Sequence, residues 1–162
     1  MNTIYLLLGG NEGDTRKLFS KATLLLGEQI GEIKEKSAIY RSSSWGFDSN
    51  NDFLNQLLIL QTKLHPDELL HHCLQIEAKL GRMRNSGKGY TDRPIDIDIL
   101  YFGAQIIKNE SLIIPHPRLH ERLFALIPLN EIIPDFIHPV LHKSNKSLLS
   151  LCSDKSKIEK LE

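Results

Sequence analysis

The sharpest chemical signal in the chain is the run Arg93-Pro94-Ile95-Asp96-Ile97-Asp98-Ile99-Leu100. In an extended strand successive side chains alternate faces. Ile95, Ile97 and Ile99 then share one side, and Asp96 and Asp98 share the other, roughly 7 Å apart. Asp is a poor strand former, and the run continues into Leu100-Tyr101-Phe102, too apolar for a solvated edge. Two like charges on a part-buried face repel and lose hydration unless something positive lies between them. Hard divalent cations take oxygen ligands, and Mg²⁺ is commonly held by one or two carboxylates plus substrate phosphates. The pair reads as a metal site for phosphate chemistry, with a wet edge strand as the bland alternative.

Phosphate chemistry needs positive charge nearby. Arg82, Arg84, Lys88 and Arg93 lie just upstream of the pair, and Arg118 and Arg122 follow it with His116 and His120 interleaved. Guanidinium forks match phosphate oxygens. The stretch 82–92 holds Gly87 and Gly89 and few apolar residues, which fits a lid carrying Arg82 and Arg84 over the phosphates. Gly9-Gly10-Asn11-Glu12-Gly13 has neither Walker nor dinucleotide-binding spacing and is read as a strand-to-helix turn. His65 and His138 are explained by turn chemistry, whereas His116, between Pro115 and Pro117, suits a phosphate contact. The seven histidines show no metal-ligand spacing. Glu77, one turn before Gly81, is expected to pair with a loop arginine.

These groups need a scaffold. Residues 4–8 form a short apolar run, as a buried strand would. A helix starts at about Asp14, with Leu18, Ala22, Leu25 and Leu26 at helical spacing. Residues 33–40 and 53–62 read as strands, separated by a Ser/Asn/Asp/Gly-rich loop at 41–52. Pro66 opens a second helix and Gly81 closes it, with Leu69, Cys73, Ile76 and Leu80 as its buried stripe. The stretch 95–102 is the clearest strand, and 104–107 and 112–114 are accessory ones. From Leu119 onward, Pro128, Pro134 and Pro139 break short helices, and the polar tail from about residue 153 is expected to fray. The order β-α-β-β-α-β predicts an α+β, ferredoxin-like antiparallel sheet, with helices on one face and a C-terminal helical addition. All 162 residues form one domain on this reading.

Composition narrows the function classes. Twenty basic residues balance twenty acidic ones, which argues against broad nucleic-acid or membrane-surface binding. Two cysteines, Cys73 and Cys152, exclude a disulfide scaffold and a cysteine zinc cage, and they fit a reducing compartment. The opening Met1-Asn2-Thr3-Ile4 is unlike a signal peptide, and no apolar run approaches the ~20 residues of a membrane span. A cytoplasmic monomer acting on small molecules, with no nucleic-acid or membrane partner, is expected.

The motifs together resemble the 6-hydroxymethyl-7,8-dihydropterin pyrophosphokinase family of folate biosynthesis. The resemblance rests on Arg93-x-x-Asp96-Ile97-Asp98-Ile99-Leu100, preceded by Glu77 and Gly81-Arg82-x-Arg84. It continues through Pro115-His116-Pro117-Arg118-Leu119-x-x-Arg122-x-Phe124 and Pro128-Leu129-x-Glu131-Ile132-x-Pro134. Leu8-Gly9-Gly10-Asn11, Tyr40-Arg41 and Phe53-Leu54-Asn55 complete it, in order, to about residue 145. The resemblance implies a ferredoxin-like fold and transfer of the terminal pyrophosphate of ATP to the pterin hydroxymethyl oxygen, releasing AMP. It implies that Asp96 and Asp98 bind two Mg²⁺, and that Arg82, Arg84, Arg93, His116 and Arg122 hold or cover the triphosphate. Ile99, Ser111 and Ile113 would then lie near the nucleotide, and Ser43, Ser44, Trp45, Phe53, Asn55 and Phe124 would form the pterin pocket. Asp96, Asp98, Arg82 and Arg84 would carry the catalysis.

The chain departs from the family pattern at four places. Gly10 stands where many relatives have Ser, and Tyr90-Thr91-Asp92 where relatives often carry Trp-Gly-Pro. Ser42-Ser43-Ser44 replaces a Pro-containing stretch, and Ser111 stands where some relatives have Arg. Two rival readings remain at this point. One is a nucleotidyltransferase using the same Asp pair, which would release pyrophosphate. The other is a non-catalytic ferredoxin-like nucleic-acid-binding module, which the acidic strand and zero net charge oppose.

Overall fold

The computed structural model describes residues 1–82 and 90–161. Arg84, Lys88 and the middle of the expected lid lie outside the described residues. Strand β1 (Asn2–Gly10) is followed by α1 (Thr15–Gln29), β2 (Gly31–Lys36), β3 (Tyr40–Ser42), β4 (Phe53–Thr62) and α2 (Pro66–Lys79). Then come β5 (Asp96–Phe102), the short hairpin β6 (Ile107–Lys108) and β7 (Ile113–Ile114), α3 (Leu123–Ile132), α4 (Asn145–Leu151) and β8 (Ile158–Lys160). The main sheet runs β5-β1-β4-β3-β8, with β2 also pairing β4, and every pairing is antiparallel.

Period-2 alternation builds a core on each face of this sheet. Ile4, Leu6 and Leu8 of β1 and Leu58 and Leu60 of β4 meet Phe19, Ala22 and Leu26 of α1 and Leu69, Cys73 and Ile76 of α2. The alternate residues Tyr5, Leu7, Leu57 and Ile59 meet Ala125, Leu126 and Leu129 of α3 and Leu148 of α4. Each such fully buried aliphatic side chain contributes about 1.5–3 kcal/mol. The C-terminal addition is therefore a second helical layer, and the expectation of helices on one face holds only for α1 and α2.

Helices α1 and α2 begin where their caps predict. Asp14 accepts the Lys17 N–H at 3.2 Å, and Glu68 reaches back to the His65 N–H at 3.0 Å. Gly81, at φ +100°, ends the α2 segment in a left-handed conformation. Three expectations are corrected. The stretch 33–40 is two strands, because Ser37 interrupts it: its backbone and hydroxyl bond Leu57 at 2.9 Å each. Pro128 lies inside α3 and does not break it. The tail is not frayed: β8 pairs with β3, and Leu161 N–H donates to Ile39 O at 2.8 Å.

Gly31 tests the tight β2–β4 approach, since a Cβ there would lie 1.9 Å from the Gln61 carbonyl oxygen. Backbone cannot swing aside as a side chain can. Gly31→Ala is expected to destabilise by about 2 kcal/mol and lower the melting temperature by roughly 4–8 °C, read by a thermal melt.

Candidate active site

Asp96 and Asp98 open β5 and pair across from Gly9 and Leu7 of β1. Ile97 and Ile99 turn to the α1/α2 core, as the alternation requires. The carboxylates lie on the opposite face, the one that α3 covers further along the sheet. That face changes from core to site where α3 begins, next to Arg122.

The acid pair is embedded in cations. Arg93 Nε donates to Asp96 Oδ2, and Arg82 Nη1 lies 3.8 Å from the same oxygen. Arg122 Nη1 is 4.0 Å from Asp98 Oδ2. Burial, followed by the Asp96 charge, pushes Asp98 up to about 7 despite the opposing pull of Arg122. Glu77, 3% exposed, takes the Ile97 N–H at 2.6 Å and faces Arg82 at 3.7 Å. It thus joins α2 to β5 and pairs with a loop arginine as expected.

The paired glycines of β1 have a role other than the expected turn. A Cβ on Gly9 would sit 2.9 Å from Asp96 Oδ1, and one on Gly10 would sit 2.3 Å from the Pro94 carbonyl oxygen. They let β5 and its first carboxylate close on β1, while the turn itself uses Gly13 at φ +73°.

Two cavities meet at this point. A narrow pocket is lined by Ser42, Ser43, Trp45, Phe47, Phe53, Asn55 and Phe124. A wide groove of about 760 Å³ includes Glu77, Arg82, Ile99, Ser111, Ile113 and His116. Both share Tyr90, Arg93, Asp96, Asp98 and Arg122. Every described residue assigned to the site therefore lines one cavity or the other, except Ser44, whose hydroxyl is turned to the Phe47 carbonyl at 2.6 Å.

The narrow pocket has a free volume of only about 20 Å³, room for about one water. Trp45 and Tyr90 line it in edge-to-face contact at 5.9 Å, and Arg122 lies 4.6 Å from the Trp45 ring and donates to the Tyr90 hydroxyl at 2.8 Å. A flat heterocycle can enter only if that stack moves. Asn55, 2% exposed, gives its amide hydrogens to Ser42 Oγ at 2.8 Å and Tyr40 O at 3.4 Å. Its Oδ1 acceptor is the function left for a ligand.

His116 takes the Arg118 N–H on Nδ1 at 3.1 Å. Burial, then the Arg122 charge, pushes its pKa down to about 4, so it is a neutral imidazole with its proton on Nε2. It offers a hydrogen bond to phosphate, not a positive charge.

Asn11 had drawn no functional reading in the sequence. Its side chain donates to Asp92 at 2.8 Å and accepts the Arg93 N–H at 2.9 Å, while Ser49 also donates to Asp92, at 2.6 Å. This knot joins the β1–α1 turn, the 41–52 loop and the segment leading into β5. Its sequence signals were Asn11 in the Leu8-Gly9-Gly10-Asn11 motif and an Asp at 92 where relatives often carry Pro.

The family model described as 7,8-dihydro-6-hydroxymethylpterin-pyrophosphokinase (HPPK) matches residues 5–134. The chain belongs to this family. It is 39% identical over 141 residues to a 2-amino-4-hydroxy-6-hydroxymethyldihydropteridine pyrophosphokinase of Porphyromonas gingivalis, covering 86% of this chain and 95% of that one. It is 41% identical over 146 residues to the protein of the same name from Aquifex aeolicus, covering 90% and 89%. Among solved structures, an HPPK–DHPS in complex with substrates superposes with a TM-score of 0.73 at 16% identity, over 92% of this chain and 43% of that one. A Plasmodium falciparum HPPK–DHPS triple mutant gives 0.74 at 18% identity, over 92% and 44%. The chain spans less than half the length of these two solved chains, and the likeness bears on the fold.

Proposed function

We infer that the chain transfers the terminal pyrophosphate of ATP to the hydroxymethyl oxygen of 6-hydroxymethyl-7,8-dihydropterin, releasing AMP, a step of folate biosynthesis. Family membership supports the reaction. One observation carries the assignment of the site: a narrow aromatic pocket and a wide cation-lined groove share the acid pair. A pterin and a nucleotide triphosphate would meet there.

Asp96 and Asp98 would hold two Mg²⁺. The donor set fits, because two hard carboxylates face one groove. Phosphate and water oxygens would complete the shell, as Mg²⁺ prefers. Bound Mg²⁺ supplies charge neutralisation and alignment of the triphosphate. Arg82, Arg93 and Arg122 would offset charge on the phosphates as the pterin oxygen bonds to the β-phosphorus and the bond to the α-phosphate oxygen breaks. Arg84 joins them on the resemblance alone. His116 would donate through Nε2. Ile99, Ser111 and Ile113 would bound the nucleotide. Ser43, Trp45, Phe53, Asn55 and Phe124 would hold the pterin, with Ser44 shaping the loop. The strand order supports a ferredoxin-like arrangement in which β2 and β3 share one strand position. Zero net charge opposes broad nucleic-acid binding, and no described helix is long and apolar enough to cross a membrane.

The test is incubation with ATP, Mg²⁺ and the pterin, followed by nucleotide analysis. AMP and pterin pyrophosphate are expected, and release of free pyrophosphate with a nucleotidylated product would overturn the reading. Phe124→Ala and Asn55→Ala are each expected to weaken pterin binding by about 1–3 kcal/mol while nucleotide affinity changes little. Titration followed through Trp45, the single tryptophan, measures both.

A further inference from the structure

We propose, on the reading that the narrow pocket takes the pterin, that the C-terminal segment from Asp154 to Leu161 sets both walls of that pocket, with Asp154 as a positioning residue. The segment lies beyond the residues that the family model matches.

The first wall is the start of α3. The helix has Arg122 at its N-cap, and no side chain of its own caps it. Arginine carries no acceptor for the free N–H groups of a first turn. Asp154 supplies one from the tail: its Oδ2 accepts the Leu123 N–H at 3.0 Å. Leu123 lies between Arg122 and Phe124, both of which line the pocket. A carboxylate at this point also opposes the positive end of the helix dipole. Ser156 fixes the carboxylate through its N–H at 2.9 Å and its hydroxyl. Burial works against ionisation, but the bonds from Ser156 and Leu123 prevail and hold Asp154 below its ordinary range.

The second wall is β3. It has only three residues, with β4 on one edge and β8 on the other. Ser42 pairs with Ile158, Arg41 Nη1 meets Glu159 Oε2 at 3.3 Å, and Leu161 N–H donates to Ile39 O. Ser42 in turn accepts the Asn55 amide. A strand this short depends on both neighbours for its position, so β8 places the serine that orients Asn55.

Steady-state kinetics in both substrates test the proposal on the full chain. Asp154→Ala should raise the KM for pterin about threefold to thirtyfold, the span of a lost helix cap, and raise the KM for ATP less, through Arg122 alone. Asp154→Asn keeps an acceptor for Leu123 and should recover most of the loss. Leu161 points its N–H at β3, and two-residue alternation turns the Glu159 N–H the same way. Glu159→Pro removes that donor and should raise the pterin KM while leaving the ATP KM unchanged. A tail that merely stabilises the fold predicts a lower melting temperature and a smaller active fraction with the pterin KM intact, and that result overturns the proposal. If Asp154→Ala does not fold, Glu159→Pro decides by the same criterion. Failure of the functional reading is distinct from these outcomes, because it appears as wild-type protein that makes no pterin pyrophosphate, and it takes the proposal with it.

Discussion

Asp96→Asn and Asp98→Asn are each expected to lower turnover at least about a thousandfold, or about 4 kcal/mol of barrier, since each removes a charged oxygen ligand from the proposed metal site. Rapid-quench product analysis checks this, and near-normal rates in both variants would place the metal elsewhere. The two variants should differ in stability. Asp96 is held by Arg93 and Arg82, so Asp96→Asn loses a part-buried ion pair and should melt lower. Among the described residues Asp98 has only the longer contact to Arg122, and its carboxyl sits well above the ordinary range. A raised carboxyl pKa means that ionising Asp98 opposes folding once the pH passes the unfolded value. Asp98→Asn should therefore melt at or above wild type near pH 8 without Mg²⁺, with the difference shrinking as pH falls toward 4.

Arg82→Ala is expected to reduce the catalytic rate by roughly ten- to a thousandfold, about 1.4–4 kcal/mol, with a smaller loss of nucleotide affinity. The side chain is 19% exposed and touches three fixed points at the mouth of the groove: Glu77 at 3.7 Å, Asp96 at 3.8 Å and the Ile95 carbonyl at 3.4 Å. It is thus anchored beside the acid pair, where charge develops during transfer. Equilibrium titration beside pre-steady-state kinetics separates the effects. Equal losses of rate and affinity would make Arg82 a ground-state anchor, and no change in either would make it a structural tie between α2 and β5.

Much of this site was legible in the chain. The Asp pair, its same-face geometry and its arginine neighbours follow from period-2 alternation and residue chemistry, which are local. Strand β4 falls on the expected residues 53–62, and α1 and α2 begin at the expected Asp14 and Pro66, because propensity, capping and burial agree there. Readings failed where a distant contact overrode the local signal. Ser37 bonds Leu57 and divides one expected strand into two. The polar tail becomes a strand because β3 offers it an open edge.

The sequence by itself determined the family, and it named the carboxylates and cations proposed for the site. Those depend on residue identity and spacing within short motifs, which are local in the chain. Only the tertiary structure decided how that chemistry is arranged. It set which hydrogen-bonding function of Asn55 remains available, since Ser42 and Tyr40 take its amide hydrogens. It made His116 neutral, since burial outweighs its basicity. It required glycine at 9, since Asp96 closes to 2.9 Å of where a Cβ would stand. It also set Trp45 edge-on against Tyr90 in the wall of the narrow pocket. Each of these depends on atoms far apart in sequence and brought within a few ångströms by folding, and no local pattern of residues carries that information.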